Sequence, residues 1–125
     1  MEFYSREILD HFMNPRNVGA MEEADAVGKY CEEAHSATFH FFLKVTDGHI
    51  TNIMFQTYGC APSIAASSMM TVLAKGKKLT EATRLDPQEI SQALGGMPES
   101  KMFSIHAALE TLQCAINDYE ESVRG

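Results

Sequence analysis

Residues 38–45 alternate, with Phe39, Phe41, Leu43 and Val45 on one side of an extended chain and Thr38, His40, Phe42 and Lys44 on the other. Successive strand side chains point to opposite faces, so the pattern predicts a strand with one buried face. Asp47-Gly48 follows, a dipeptide that suits the left-handed positions of a type I′ turn, and residues 51–57 then set Ile53, Phe55 and Thr57 on one face. The two runs read as an antiparallel hairpin. Beyond it the chain continues Tyr58-Gly59-Cys60-Ala61-Pro62, and residues 63–73 are small and apolar, as in a buried helix. Gly59 permits a sharp bend, while Pro62, which lacks an N–H and has its φ preset, fits a first helical turn. Cys60 therefore falls at a strand-to-helix corner.

Helical spacing accounts for most of the remainder. Phe3, Ile8, Leu9 and Phe12 mark a short amphipathic helix over residues 3–13, capped by Ser5 and stopped at Asn14-Pro15. Over residues 16–36 the periodicity dissolves into glycines and the acids Glu22, Glu23, Asp25, Glu32 and Glu33, which predicts a long loop with room for one short strand. A loop of that length in a small domain is often functional. Gly76 is a C-terminal helix signal, residues 79–85 suit a short helix with Thr80 as cap, and Asp86, Pro87 and Glu89 open another that Gly95-Gly96 closes. A last helix, from Phe103 or Ser104 to about residue 120, lines up Ile105, Ala108, Leu109, Leu112, Ile116 and Tyr119 in one stripe.

With 125 residues, 45% of them hydrophobic, the chain suits one domain (1–125) that buries a core without metals or disulfides as staples. A net charge of -7, with no basic run beyond Lys75, Lys77 and Lys78, argues against nucleic acid as a partner. The charged N-terminal region lacks an apolar signal segment, and residues 60–74 are too short to span a bilayer. The expected location is cytoplasmic, with no membrane association. Three cysteines at positions 31, 60 and 114, an odd count, make no disulfide framework, and a reducing compartment keeps them as thiols.

Cys60 has two readings. A helix N-terminus favours thiolate over thiol, the form that attacks sulfur and binds metal. A free cysteine is also commonly a buried, inert packing residue.

The runs YSREILDHFMNPRNVG, TYGC, SIAASS, KGK and AINDY together resemble the iron-sulfur cluster assembly scaffolds of the NifU N-terminal domain and IscU type. The likeness spans nearly the whole chain. It implies an α+β fold, a small antiparallel sheet of about three strands packed by helices. It further implies a scaffold, not an enzyme in the usual sense, that takes sulfur from a cysteine desulfurase and iron from a donor. Such a scaffold holds a transient [2Fe-2S] cluster and passes it to iron-sulfur acceptor proteins. Thiolates are the soft ligands such clusters need. A monomer or weak homo-oligomer is expected.

The family presents one cysteine in a Cys-Gly-Asp stretch, one in a Tyr-Gly-Cys corner and one in a His-Cys pair opening the final helix. Here the first stretch falls on His35, Ser36 and Ala37, only Cys60 matches outright, and the His-Cys pair falls on Phe103 and Ser104. The family's Leu-Pro-Pro-Val-Lys chaperone signal is replaced by residues 96–101, Gly-Met-Pro-Glu-Ser-Lys. Two neighbours are candidate replacement ligands: Cys31, and His106, which on a helix containing Phe103 lies about 60° round the axis and about 4.5 Å along it. Cys31, His35, Cys60 and His106 would form a two-sulfur, two-nitrogen tetrahedron for iron or zinc. The plainer alternatives are a solvated flank residue for His106, a loop-edge histidine for His35 and an exposed thiol in a mobile loop for Cys31. His11, His40, His49 and Cys114 read as structural. Two further functions stay open: a diverged, non-assembling member that acts as a zinc-binding regulator or adaptor, and a thiol enzyme that uses Cys60 with His35 or His106 as its base.

Overall fold

Three antiparallel strands, β1 (Ala26–Glu32), β2 (Ala37–Thr46) and β3 (His49–Tyr58), lie side by side in chain order in a computed structural model that describes residues 3–124. The hairpin follows its alternation: Phe39, Phe41, Leu43, Ile53 and Phe55 are all buried on the inner face. Asp47 and Gly48 take φ of 52° and 75°, as a type I′ turn requires. Val45 is only partly buried, because the register shifts between Lys44 and Val45.

β1 is more regular than its sequence suggests. It pairs with β2 without interruption from Ala26↔Leu43 to Glu32↔Ala37, so Cys31 belongs to a strand instead of a mobile loop. Gly28 and Lys29 conceal the strand, since neither is an apolar residue that marks an inward position. Gly28 nevertheless faces inward, and a methyl there would collide with the Thr111 carbonyl and with Ala115. Residues 17–19 add a short parallel pairing at the free edge of β3: Asn17 O accepts from Phe55 N–H at 2.9 Å, and Gly19 N–H donates to Phe55 O at 2.8 Å.

The described residues form five α-helices, α1 (Arg6–Met13), α2 (Ala61–Ala74), α3 (Leu79–Ala82), α4 (Pro87–Ala93) and α5 (Met102–Arg124). α5 lies across β1 and β2, α2 packs on β3 and α5, and α1 packs on α2. α2 is buried almost all round, which its small residues permit. Caps follow the sequence at Ser5 and Asp86. The cap of α3 does not: Lys78 N–H donates to the Glu81 carboxylate at 3.0 Å, and Thr80 lies within the helix. Among the described residues no helix is long and apolar enough to cross a membrane.

Candidate functional site

Cys60 is the N-cap of α2, with φ -84° and ψ 174°, and Pro62 occupies the first turn. The corner forms because extended backbone from β3 runs through Gly59 straight into the helix. The Cys60 carbonyl accepts from Ser63 N–H at 3.0 Å and from Ile64 N–H at 3.2 Å, which fixes the backbone beneath the thiol. Its Sγ stands 3.4 Å from Ser63 Oγ, and Ser63 Oγ stands 3.4 Å from Ser104 Oγ in the first turn of α5. Both serines are fully buried and the cysteine is exposed, so the sulfur sits at the outer end of a polar chain reaching into the protein. A Cβ at Gly59 would come within 3.2 Å of the Ala37 Cβ, which shows how closely the corner approaches the start of β2.

His35 comes to the same end of the sheet from the other side. It closes one turn of 3₁₀ helix, Glu33–His35, between β1 and β2, and Ser36 then takes the left-handed conformation at φ 51°. The imidazole lies flat on the ring of Phe103, centroids 3.5 Å apart and planes 5° off parallel. Its Nδ1 is 3.2 Å from the Glu32 carboxylate. Phe103 is the second residue of α5 and Ser104 the third. The positions that the resemblance implied, 35, 60 and 103–104, thus come to one end of the sheet, which offers one thiol and one imidazole.

The other candidates stand apart from that patch. Cys31 is exposed on β1 opposite Thr38, and its neighbour Tyr30 packs inward with Ala37, Phe39 and Ala107, which leaves Cys31 on the outer face. His106 is exposed on α5 between the buried Ile105 and Ala107. Among the described residues no three His, Cys, Asp or Glu side chains gather as a metal-holding group, so the tetrahedron of Cys31, His35, Cys60 and His106 is not assembled in this structure. Cys114 is half-buried in α5, where burial, helped by the nearby Glu110, pushes its thiol pKa up. Sequence reading did not single out Glu32, Ser63 or the Phe103 stack. The spacing of Glu32 and His35, three residues apart, is the one signal that pointed to the first.

A [2Fe-2S] cluster takes four thiolate or imidazole ligands. Phenyl and serine side chains at positions 103 and 104 supply none that iron favours. The donor set therefore does not fit a cluster closed by this chain alone.

Residues 3–124 match the family model described as the NifU-like N terminal domain. The chain is 45% identical over 116 residues to the iron-sulfur cluster assembly scaffold protein IscU 1 of Archaeoglobus fulgidus, covering 93% of this chain and 76% of that protein. To the IscU scaffold protein of Aquifex aeolicus it is 42% identical over 118 residues, covering 93% and 75%. Among solved structures it shares its fold with an N-terminal NifU-like protein from Brucella abortus, at a TM-score of 0.70 and 24% identity, covering 94% of each chain. A family match over almost every residue, and relatives this similar over most of their length, have one reading: the chain belongs to the NifU-like N-terminal domain family.

Proposed function

We propose that this protein is an iron-sulfur cluster assembly scaffold whose sulfur chemistry runs through a single thiol, Cys60. The observation that carries the reading is the patch itself: of three family thiolate positions brought together, only position 60 holds sulfur, exposed at the start of α2. The scaffold relatives support the function, and no observation favours the adaptor or the thiol enzyme.

The sulfur donor is a cysteine desulfurase bearing a persulfide. Cys60 thiolate attacks the terminal sulfur, a new S–S bond forms to Cys60, the donor's S–S bond breaks, and the donor cysteine leaves as thiolate with the electron pair. The proton of the terminal sulfur stays with it, so no external oxidant or reductant is required. Iron and any cluster are cargo: Cys60 and His35 are the donors this chain brings, and acceptor proteins complete the coordination as they take the cargo. A reducing, cytoplasmic setting and a monomer or weak homo-oligomer suit an exposed thiol used in this way.

Anaerobic reconstitution with Fe²⁺ and sulfide tests the reading. The expected result is bound iron without a long-lived cluster spectrum from the chain alone, with iron binding reduced by Cys60→Ser. A stoichiometric, stable [2Fe-2S] spectrum would overturn the single-thiol account.

A further inference from the structure

We infer that Ser63 donates its hydroxyl proton to the Cys60 sulfur when that sulfur attacks as a thiolate, and that Ser104 is a positioning residue that turns the Ser63 proton toward it. These roles rest on the reading of Cys60 as sulfur acceptor given above and deepen it. Cys60 Sγ stands 3.4 Å from Ser63 Oγ, and Ser63 Oγ stands 3.4 Å from Ser104 Oγ. Both serines are fully buried, so no bulk water competes for their hydroxyls, while the sulfur at the end of the chain is exposed. Cys60 is the N-cap of α2 and Ser63 its third residue, so one helical turn sets these two side chains together. Ser104 reaches the same point from another element, the first turn of α5.

The direction of the chain follows from counting protons. A thiol can give or take a hydrogen bond, but a thiolate has no proton and only accepts. Beside the ionised sulfur, the Ser63 contact is a hydrogen bond only if Ser63 donates. Its single proton is then spent, so its other contact is satisfied only if the Ser104 hydroxyl donates to Ser63. A thiolate thus fixes the order Ser104 to Ser63 to sulfur, whereas a thiol leaves both hydroxyls free to turn. A hydrogen bond to an ionised acceptor is roughly twice as strong as a neutral one, so loss of the Ser63 hydroxyl costs the thiolate more than the thiol. Neither serine ionises, and the proton shed by the thiol leaves to water at the exposed sulfur.

Alkylation by iodoacetamide from neutral to alkaline pH, read by peptide mass spectrometry, follows Cys60 without any donor protein. Ser63→Ala should slow Cys60 labelling about 3- to 10-fold near neutral pH, the low end for a charged hydrogen bond because water also reaches the sulfur. The deficit should close at alkaline pH, where the thiol ionises with or without the serine. Ser104→Ala should slow labelling less, and should add nothing in a Ser63→Ala background. Ser67 is the control: it is fully buried one turn further along α2, its hydroxyl has no partner among the described residues, and Ser67→Ala should leave Cys60 labelling unchanged. Labelling at the wild-type rate in Ser63→Ala overturns the inference, and so does a deficit that is the same at every pH. Equal slowing in Ser67→Ala, or a Ser104→Ala effect that survives without Ser63, overturns it as well. If faster labelling of half-buried Cys114 shows that Ser63→Ala has loosened the fold, Ser104→Ala decides, and wild-type labelling of Cys60 there overturns the chain. Sulfur loading by a cysteine desulfurase with cysteine should slow by the same factor in Ser63→Ala at neutral pH, and loading at the wild-type rate overturns the role in transfer. Loading that bypasses Cys60 in the wild type, with the alkylation pattern intact, defeats the acceptor reading and the role in transfer while the hydrogen-bond chain stands.

Discussion

His11 Nδ1 lies 2.8 Å from Ser68 Oγ, a buried contact between α1 and α2, and the same hydroxyl accepts the Arg16 N–H at 2.9 Å. The serine hydroxyl carries one proton and two lone pairs, so beside the Arg16 N–H it can meet either ring tautomer of His11. Burial holds its pKa below the ordinary 6.5, the positive charge of Arg16 lowers it further, and Asp10 offsets only part. The unfolded chain then binds the proton more readily than the fold, so this contribution to stability is complete above about pH 6.5. It is lost as pH falls from there through the depressed folded value. Urea midpoints across this range should fall with pH in the wild type, and His11→Gln should flatten that part of the profile. An unchanged slope in the variant would disprove it.

Ser5 ties α1 at two points. Its hydroxyl oxygen accepts from Ile8 N–H at 3.0 Å as the helix cap, and its proton goes to the Leu94 carbonyl at the end of α4. Ser5→Ala removes both, and an expected loss of about 1–2 kcal/mol in equilibrium unfolding follows. Ser5→Asp keeps the cap alone and should recover part of that loss.

Gly28 is where α5 meets β1. Because a methyl would strike main-chain atoms of Thr111 and Ala115, relief requires the whole helix to move. Gly28→Ala should cost about 3 kcal/mol or more, at or above the upper end for overpacking. Gly48→Ala, at a turn with open space around it, should cost less, through its positive φ alone. Equal losses in the two variants would contradict the packing argument.

The three thiols should separate by rate. Cys60 is exposed at a helix start and Cys31 exposed on a strand, while Cys114 is half-buried with its pKa raised. Mass-resolved alkylation of the folded protein should label Cys60 first and Cys114 last. Labelling of Cys114 as fast as Cys60 would refute that order.

Much of this was legible in the sequence where side-chain pattern and backbone demand coincide. Phe39, Phe41 and Leu43 fixed the hairpin face, Asp47-Gly48 its turn, and Gly59 with Pro62 the corner that holds Cys60. β1 was blurred because its order comes from the backbone ladder to β2 and from close contact with α5, and Gly28 reveals that contact only once the helix is in place. The cap of α3 was misplaced onto Thr80 because Lys78 caps through its backbone N–H, which any residue carries. At the site, family spacing located His35, Cys60 and Ser104. The stack of His35 on Phe103 and the buried Ser63–Ser104 contact join residues from different elements, and periodicity within one element carries no trace of them. Glu32 was read as one more acid in a polar stretch, although its carboxylate is turned to His35.

Sulfur transfer to Cys60 is the step on which the proposed scaffold function depends. Intact-mass and peptide mass spectrometry after incubation with a cysteine desulfurase and cysteine should show one added sulfur, mapped to the peptide containing Cys60 and absent in Cys60→Ser. Added sulfur on Cys31 or Cys114 with Cys60 unmodified, or undiminished transfer to the Cys60→Ser protein, would contradict it.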